Sequence, residues 1–382
     1  MEREGSLSRE VGSTSKGVMF NFEVNCNSNR ILMSDLTKYP TVRKATFYEK
    51  LSNDRVRCTL CERKCEIPPD SKGFCKTRIN ISGELYTLVH GDISTVESRP
   101  IEIKPFFHYW PGSTALTFST WSCNLNCIWC QNFHLSKFEP KPAKAVYYLP
   151  EKIVDIAIYN GDLGLCASFQ EPTLLSEWAI PLFKLGKEKG IRYCCYVSNG
   201  YMTLDVLRAL YEAGMDGLKI DIKGNNETYE KYCGGADVEK IWRNAREAKK
   251  LGLPVEIVNL VVRDANDDEE TLQWVVEKHL KEVGAETPLH FTRYFPAYKF
   301  NNPPTKVDTL EKAYDMAKKA GVLYPYIGNV SGHKYENTYC PNCREKLVQR
   351  YGYYVLQYRV TKEKKCPKCT THIPITGECG RR

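Results

Sequence analysis

Long apolar runs are absent from this sequence of 382 residues, and no stretch reaches the roughly 20 apolar residues that a transmembrane helix needs. The first residues, MEREGSLSREVGSTSKG, are polar and lack the apolar core of a secretory signal peptide. The nucleotide-binding patterns GxGxxG and GxxxxGK[ST] are also missing after the first strand-like segment of the central region. These absences argue against a membrane-spanning protein, a secreted protein, and a Rossmann or P-loop enzyme. They predict a soluble cytoplasmic protein without a membrane partner.

Cysteine is abundant instead, with 17 residues in the chain. Eleven of them fall into three sets with the spacing of metal ligands. In a chain without a signal peptide, such clusters are more often metal sites than disulfides, so we expect three metal centres. The sets are Cys58, Cys61, Cys65 and Cys75; Cys123, Cys127 and Cys130; and Cys340, Cys343, Cys366 and Cys369.

Composition divides the chain into four zones. Residues 1–40 are polar and are expected to form a loose N-terminal extension. Residues 41–112 are rich in cysteine, proline and glycine, which predicts a segment built around a four-cysteine metal site. Residues 113–335 alternate strand-like and helix-like stretches, and residues 338–382 form a short cysteine-rich tail.

The third zone predicts an α/β fold with a parallel sheet. Seven short apolar runs alternate with amphipathic stretches, several of which end at a glycine where a helix C-cap is expected. Seven units of roughly 30 to 40 residues are typical of a (βα) barrel or part of one. A doubly wound open sheet is the alternative. The runs are ALTFST (115–120), GLCASF (164–169), RYCCYVS (192–198), GLKIDI (217–222), VEIVNLVV (255–262), LHFTRYF (289–295) and VLYPYI (322–327).

Polar side chains follow or end several of these predicted strands. In a (βα) barrel the chemistry lies at the carboxyl ends of the strands, so we expect these side chains to share one site. The cysteine cluster that follows the first strand supports this interpretation over ordinary loop polarity. The residues are Cys123, Gln170, Glu171, Ser198, Asn199, Asp221, Lys223, His290 and Arg293.

The segment Cys123-Asn-Leu-Asn-Cys127-Ile-Trp-Cys130 places three thiols on a short loop after a buried strand. A 4Fe–4S cluster normally takes four cysteine ligands, so three would leave one iron open to another ligand. Spacing alone also allows a zinc site with a distant fourth ligand, or a chance grouping. The pattern favours the iron–sulfur cluster.

This CxxxCxWC segment resembles the signature of the radical S-adenosylmethionine (SAM) superfamily, and Trp129 matches its aromatic position near the SAM adenine. Other segments resemble the parts of that family that surround SAM. The turn from Val261 to Asp267 resembles the family's xPGxND turn, but Arg263 and Asp264 replace its Pro-Gly. The whole is similar to the AmmeMemoRadiSam-system radical SAM proteins, a group related to pyruvate formate-lyase activating enzymes. The matching segments are SFQEPT (168–173), VSNGY (197–201), DIKG (221–224), YCGG (232–235) and LHFTRYFPAYK (289–299).

The resemblance implies a partial barrel, a 4Fe–4S cluster on the three thiolates of the CxxxCxWC segment, and SAM bound at the open iron. It implies an enzyme, an oxidoreductase working anaerobically, that cleaves SAM reductively and abstracts hydrogen through a 5′-deoxyadenosyl radical. The substrate would be a protein, as for the activating enzymes of glycyl radical enzymes, or a small molecule. An electron donor such as ferredoxin or flavodoxin is implied as well. The amino group of SAM would be held by Glu171. SAM would also contact Trp129, Ser198, Asn199, Asp221, Lys223 and His290.

The other two cysteine sets predict further metal sites. Residues 58–75 lack a helical pattern, so a metal would replace a hydrophobic core there. Either structural Zn²⁺ or an auxiliary iron–sulfur cluster suits the four thiols. The two CxxC pairs of the tail enclose a strand-like segment, YGYYVLQYRV, which is typical of a zinc ribbon. A rubredoxin-like iron site is the alternative.

Positive charge is concentrated in the tail. Residues 338–382 carry ten Lys or Arg and three Glu, a net +7, while the whole chain carries +8. A basic ribbon beside a radical SAM barrel could bind RNA, so an RNA-modifying enzyme is one alternative function. A non-catalytic, metal-rich scaffold is another. A solvated basic face is the simpler interpretation of the charge.

Overall fold

The computed structural model describes residues 33–380. Residues 1–32 of the predicted loose extension (1–40) lie outside the described residues. Its last part begins the folded chain with the 3-10 helix Met33–Lys38. Leu36 and Tyr39 pack against a small apolar cluster that includes Val42 and Ile79, so residues 33–40 belong to the folded body.

Two small antiparallel sheets form the first part of the described chain. One has the order β1-β6-β5 and the other β2-β3-β4. Short strands joined by turns are what a segment rich in glycine, proline and cysteine can form without helices. The strands are β1 (Arg43–Lys44), β2 (Tyr48–Lys50), β3 (Val56–Cys58), β4 (Glu66–Ile67), β5 (Arg78–Ile81) and β6 (Glu84–Thr87).

An eight-stranded sheet forms the centre of the fold, with strands in the order β14-β13-β12-β11-β10-β9-β8-β7. Strands β8 to β14 are parallel, and β7 pairs with β8 in the antiparallel direction. The strands are β7 (Thr95–Pro100), β8 (Thr114–Ser119), β9 (Gly164–Ala167), β10 (Tyr193–Ser198), β11 (Gly217–Ile222), β12 (Val255–Val261), β13 (Leu289–Arg293) and β14 (Pro325–Gly328).

Helices connect the parallel strands and pack on one another in sequence. Gly190 and Gly214, expected at helix ends, follow α3 and α4 with φ values of 88° and 101°, in the left-handed region that favours glycine. The helices are α1 (Phe133–Ser136), α2 (Pro150–Asn160), α3 (Ser176–Glu188), α4 (Leu204–Glu212), α5 (Asn226–Tyr232), α6 (Val238–Lys250), α7 (Glu269–Glu282) and α8 (Val307–Ala320). Short 3-10 helices occur at Ile101–Ile103, Pro142–Lys144, Pro172–Leu175 and Lys334–Glu336.

The strand order decides between the two predicted architectures. A doubly wound sheet reverses its order at a switch point, whereas these strands follow one another without reversal, as in a barrel. Strand β14 pairs only with β13 within the described residues, so the barrel stays open. The prediction of a partial (βα) barrel is confirmed. Strand β7 belongs to the same sheet, so the N-terminal segment 41–112 is not a separate body beside the barrel.

A plug loop, residues 101–112, closes the amino end of the barrel. The backbone N–H groups of Phe107 and His108 donate to the buried Glu256 carboxylate at 3.0 and 2.8 Å. The phenol of Tyr109 donates to Asp216, and its ring lies against Gly217, where a Cβ would come within 2.5 Å of the ring. The cavity of the barrel therefore has a floor.

The tail forms a three-stranded antiparallel sheet of β15 (Thr338–Tyr339), β16 (Lys346–Tyr351) and β17 (Tyr354–Tyr358). It has its own small apolar core. Arg350 is buried and donates to the Phe107 carbonyl oxygen at 2.8 Å, and the Thr338 hydroxyl pairs with that of Tyr326 at 2.8 Å. The tail is thus fixed to the plug loop and to β14. No helix between residues 33 and 380 has the length and apolar character needed to cross a membrane.

Candidate active site

Three thiols lie on the loop that follows β8, and Cys123, Cys127 and Cys130 all line one cavity of about 450 Å³. Ser122 lies three residues after the end of β8, and its φ of +71° turns the chain sharply before the first thiol. The Ser122 hydroxyl donates to the Cys75 carbonyl oxygen at 2.6 Å, which fixes the turn. A cavity of this size suits a small ligand.

The loop between α5 and α6, residues 233–237, holds the thiol loop in place. The backbone N–H of Asn126 donates to the Cys233 carbonyl oxygen at 2.8 Å, and Arg63 donates to the Gly234 carbonyl oxygen at 2.8 Å. A hydrogen bond from the Cys233 thiol lowers the pKa of Cys127, whereas burial raises the pKa of Cys123. Cys233 and Arg63 were missed as site residues from the sequence. The YCGG segment was the only signal, because only the fold brings it next to Cys127.

Glu171 organises the ends of β9 and β10. Its Oε1 accepts hydrogen bonds from the Thr173 N–H and hydroxyl, at 3.0 and 2.5 Å, and from the Ser198 hydroxyl at 2.8 Å. Its Oε2 accepts from the Asn199 N–H at 2.8 Å. Burial raises the pKa of Glu171, and these hydrogen bonds oppose that rise. Oε2 retains room for one more donor, while Oε1 is fully engaged.

Asp221 lies between two lysines at the end of β11. Lys219 and Lys223 both form ion pairs with its carboxylate, the second at 3.0 Å. Burial alone would raise the pKa of Asp221, but the two ammonium groups hold it at about 2. The carboxylate is therefore charged at neutral pH, and all three side chains line the cavity.

The other expected residues near the thiols include Trp129, Ser198 and Asn199, which also line the cavity. The Asn199 side-chain amide donates to the Asn124 side-chain oxygen at 2.7 Å and lies 3.8 Å from Cys123 Sγ. Trp129 is buried against Tyr232, with ring centroids 5.2 Å apart, and its indole N–H has no partner within the described residues.

His290 lies elsewhere, so the expectation that it contacts SAM does not fit the structure. It is the second residue of β13, near the amino end of the barrel, whereas the thiols lie at the carboxyl end. Its Nε2 is 2.8 Å from a Glu256 carboxylate oxygen, and its ring stacks on Tyr326. Burial lowers its pKa, which the Glu256 hydrogen bond opposes. His290 therefore supports the packing between sheet, plug loop and tail.

The four tail thiols converge to the spacing of a single metal ion. The Sγ atoms of Cys340, Cys343, Cys366 and Cys369 all lie within 4.8 Å of one another. Thiolates around tetrahedral zinc stand about 3.8 Å apart, given a Zn–S distance of about 2.3 Å. Hydrogen bonds from Thr371 lower the pKa of Cys369 to about 5, which favours the thiolate that a metal needs. The predicted four-cysteine site of the tail is present.

The N-terminal thiols are arranged differently. Cys58, Cys61, Cys65 and Cys75 line one small pocket together with Arg78. Within residues 33–380, no three of these sulfur atoms lie within 4.8 Å of one another, unlike those of the tail, and the same holds for the CxxxCxWC thiols. Burial raises the pKa of Cys58 to about 12.

The cavity at the strand ends fits SAM and a three-cysteine cluster. Three thiols share it, and buried polar atoms without partners in the described chain, the Trp129 indole N–H and both amide atoms of Gln170, belong to residues that line it. Buried polar atoms are rarely left unpaired, so a polar ligand is expected here. The sequence model of the radical SAM superfamily matches residues 119–275. This range contains the thiol loop and the four strands β9 to β12.

The chain belongs to the radical SAM superfamily. An uncharacterized protein of Methanocaldococcus jannaschii, MJ0808, is 39% identical over 336 residues, which cover 87% of this chain and 99% of that protein. The GTP 3′,8-cyclase of Aquifex aeolicus is 24% identical over 53% of this chain and 63% of its own length. A putative glycyl-radical enzyme activating enzyme of Haemophilus influenzae is 29% identical over 29% of this chain and 42% of its own length.

As a member of the radical SAM superfamily, the chain is an enzyme whose fold implies SAM and a 4Fe–4S cluster, and it needs a substrate and an electron donor. The thiol sets at residues 58–75 and 340–369 both lie outside the matched segment. So does Lys104 in the plug loop, which lines the same cavity as the central thiols.

Proposed function

We propose that this enzyme holds its 4Fe–4S cluster on Cys123, Cys127 and Cys130 and generates a radical on a substrate that enters the same cavity. When bound, the cluster would supply the electron that cleaves SAM to methionine and a 5′-deoxyadenosyl radical, which takes a hydrogen atom from the substrate. The observation that carries the proposal is the convergence of three thiols and unpartnered buried polar atoms on one cavity.

The roles of the surrounding residues follow from their contacts. Glu171 has one free acceptor position on Oε2, so it can accept a hydrogen bond from the SAM amino group while it fixes Asn199. Asp221 is charged, so it can accept hydrogen bonds from a polar end of SAM. Its ion pairs with Lys219 and Lys223 offset its negative charge. Trp129 offers an apolar face and a free N–H for the adenine. Ser198 positions Glu171 through its 2.8 Å hydrogen bond.

For the substrate, we propose the reaction class of the activating enzymes, hydrogen abstraction, with ferredoxin or flavodoxin as electron donor in the cytoplasm. The resemblance of the CxxxCxWC, SNG and DxKG segments to that group and the Haemophilus influenzae relative support this choice. The RNA-modifying alternative lacks a specific structural feature. Several tail cations are engaged within the tail or at its base: Arg350 is buried, Arg359 pairs with Glu345, and Lys364 donates to a carbonyl oxygen.

For the other two thiol sets, we propose different metals. The close tail thiols suit zinc, and the wider N-terminal thiols suit an auxiliary iron–sulfur cluster, with the Arg78 guanidinium close enough to Cys58 to offset thiolate charge. Iron and sulfide analysis tests this. Alanine at all four N-terminal positions should lower the iron content from about eight to about four per chain. Unchanged iron would contradict the auxiliary cluster. The positions are Cys58, Cys61, Cys65 and Cys75.

The decisive experiment is anaerobic. The reconstituted protein is incubated with dithionite and SAM, and 5′-deoxyadenosine is quantified for wild type, Cys127→Ala and Cys194→Ala. Cys194 is a buried cysteine of β10 outside all three sets, so its variant controls for loss of a buried thiol. We expect production in wild type and Cys194→Ala and none in Cys127→Ala. Equal production in all three, or none in any of them even with cell extract as a substrate source, would refute the proposal.

A further inference from the structure

Within residues 33–380, one cation that lines the cavity has no ion-pair partner. Lys104 extends from the plug loop, is 4% exposed, and lines the cavity beneath the thiols. Within residues 33–380, no carboxylate or carbonyl oxygen accepts a hydrogen bond from its ammonium group. Its contact there is the ring of Phe169, whose centroid lies 4.2 Å from Nζ. A buried ammonium group is costly unless it is paired, and an aromatic face compensates only in part.

The other two lysines in the cavity differ from Lys104. Lys219 and Lys223 share the carboxylate of Asp221, so this trio carries one net positive charge while each member is paired. Burial lowers the pKa of Lys104, and the neighbouring cysteines Cys166 and Cys195 oppose that shift only in part. A ligand anion would remove this cost and restore the charged form.

Gln170, the residue after Phe169, adds a side-chain amide that has no hydrogen-bond partner among the described residues. It is 8% exposed, it lines the cavity, and neither its Nε2 nor its Oε1 has a hydrogen-bond partner in the described chain. The backbone of Phe169 has a φ of +72°, in a region that costs energy for a bulky residue, and the Asn132 side-chain amide donates to its carbonyl oxygen. Phe169 is thus held in a strained conformation at the cavity wall, directly before Gln170.

We propose that Lys104 and Gln170 bind the carboxylate or phosphate group of an organic substrate, with Lys104 as the charged contact and Gln170 as a neutral donor. The inference rests on the proposed function only in taking this cavity as the substrate site. Tyr353, from the turn between β16 and β17, lines the same cavity. The tail therefore forms part of the wall of the substrate cavity, so it contributes to this site as well as holding a metal.

Anion binding tests the proposal without requiring turnover. Inorganic phosphate and acetate are titrated separately into the anaerobic, reconstituted full chain at saturating SAM, and the shift in thermal unfolding is measured. We expect Lys104→Met to weaken binding of the preferred anion roughly ten- to hundredfold, the worth of a charge-assisted hydrogen bond. Lys104→Arg should retain most of the affinity. Lys152→Met, at an exposed position of α2, is the matched control and should bind as wild type does.

The anion that binds more tightly identifies the group, phosphate or carboxylate. Equal binding by wild type and Lys104→Met, or no binding of either anion to wild type, would overturn the proposal. Loss of SAM affinity in Lys104→Met, with anion binding unchanged, would overturn it too and would make Lys104 a SAM contact. If Lys104→Met does not fold, Gln170→Ala replaces it and should weaken the anion severalfold. Because this readout does not need 5′-deoxyadenosine, failure of the proposed function and failure of this inference are separate results.

Discussion

A buried ion pair joins the N-terminal thiol segment to the barrel, and its removal gives a sharp test. Arg78 of β5 donates from both terminal nitrogens to the two carboxylate oxygens of Glu177 in α3, each at 2.6 Å. The two side chains are 1% and 8% exposed. Burial would raise the pKa of Glu177, but Arg78 holds it below its ordinary value. Both groups are therefore charged in the folded protein.

Removing Arg78 should leave the Glu177 carboxylate as a buried unpaired charge, and removing Glu177 should leave Arg78 with only the N-terminal thiols beside it. We expect Arg78→Met and Glu177→Leu each to lower the free energy of unfolding by about 3–5 kcal/mol. At roughly 2 °C per kcal/mol for a chain of this size, each would lower the Tm by about 6–10 °C. The double variant should lose less than either single variant, because no charge is left buried.

The assay is anaerobic thermal unfolding of the reconstituted protein followed by circular dichroism, for wild type, both single variants and the double variant. Arg57→Met is the matched control, because Arg57 pairs with Glu66 at 2.7 Å on the exposed surface of the neighbouring sheet. An exposed pair contributes about 0–1 kcal/mol, so this variant should change the Tm little. Additive losses in the double variant would refute the reasoning.

Three further predictions concern the tail, the thiol loop and a buried carboxyl group. Cys366→Ser should remove about one zinc per chain and leave the iron content unchanged, measured by metal analysis, while proteolysis of the tail becomes faster; retained zinc would contradict the four-thiol site. Cys233→Ala removes a hydrogen bond to the Cys127 sulfur. The reduction potential of the 4Fe–4S cluster, measured by an electron paramagnetic resonance titration, should therefore fall by on the order of tens of millivolts, given that about 1.4 kcal/mol equals 59 mV. An unchanged potential would exclude that role. Burial raises the pKa of Asp92 to about 6 from 3.8, so folding favours its protonated form, and stability is lost as pH rises from about 4 to 6, by up to about 3 kcal/mol. Asp92→Asn should abolish this loss and raise the Tm relative to wild type at pH 7 but not at pH 4; parallel Tm profiles would argue against it.

The local elements were predictable because their signals are local. The run GLKIDI (217–222) coincides with β11, and Gly190 and Gly214 end α3 and α4 as expected, since strand alternation and positive φ are properties of short segments. The antiparallel strand β7 was not predicted. Its sequence, TVESRP, carries no strong apolar pattern, and it becomes a strand by pairing with β8.

The site divides in the same way. The spacing of Cys123, Cys127 and Cys130 was readable because all three stand on one loop, and the strand-end rule gave Glu171 and Asp221 a common site. The same rule misplaced His290, because a residue early in a strand lies at the opposite end of the barrel from a residue at the strand's end.

By itself, the sequence determined the order of strands and helices and which thiols belong together, because both depend on spacing along the chain. Only the tertiary structure decided which distant groups meet: Cys233 lies beside Cys127, and Lys104 lines the cavity with no ion-pair partner among the described residues. It also separated the tail thiols, close enough for one ion, from the wider N-terminal set. These facts are distances between segments far apart in sequence, and such distances are fixed by how the sheet, the plug loop and the tail pack together.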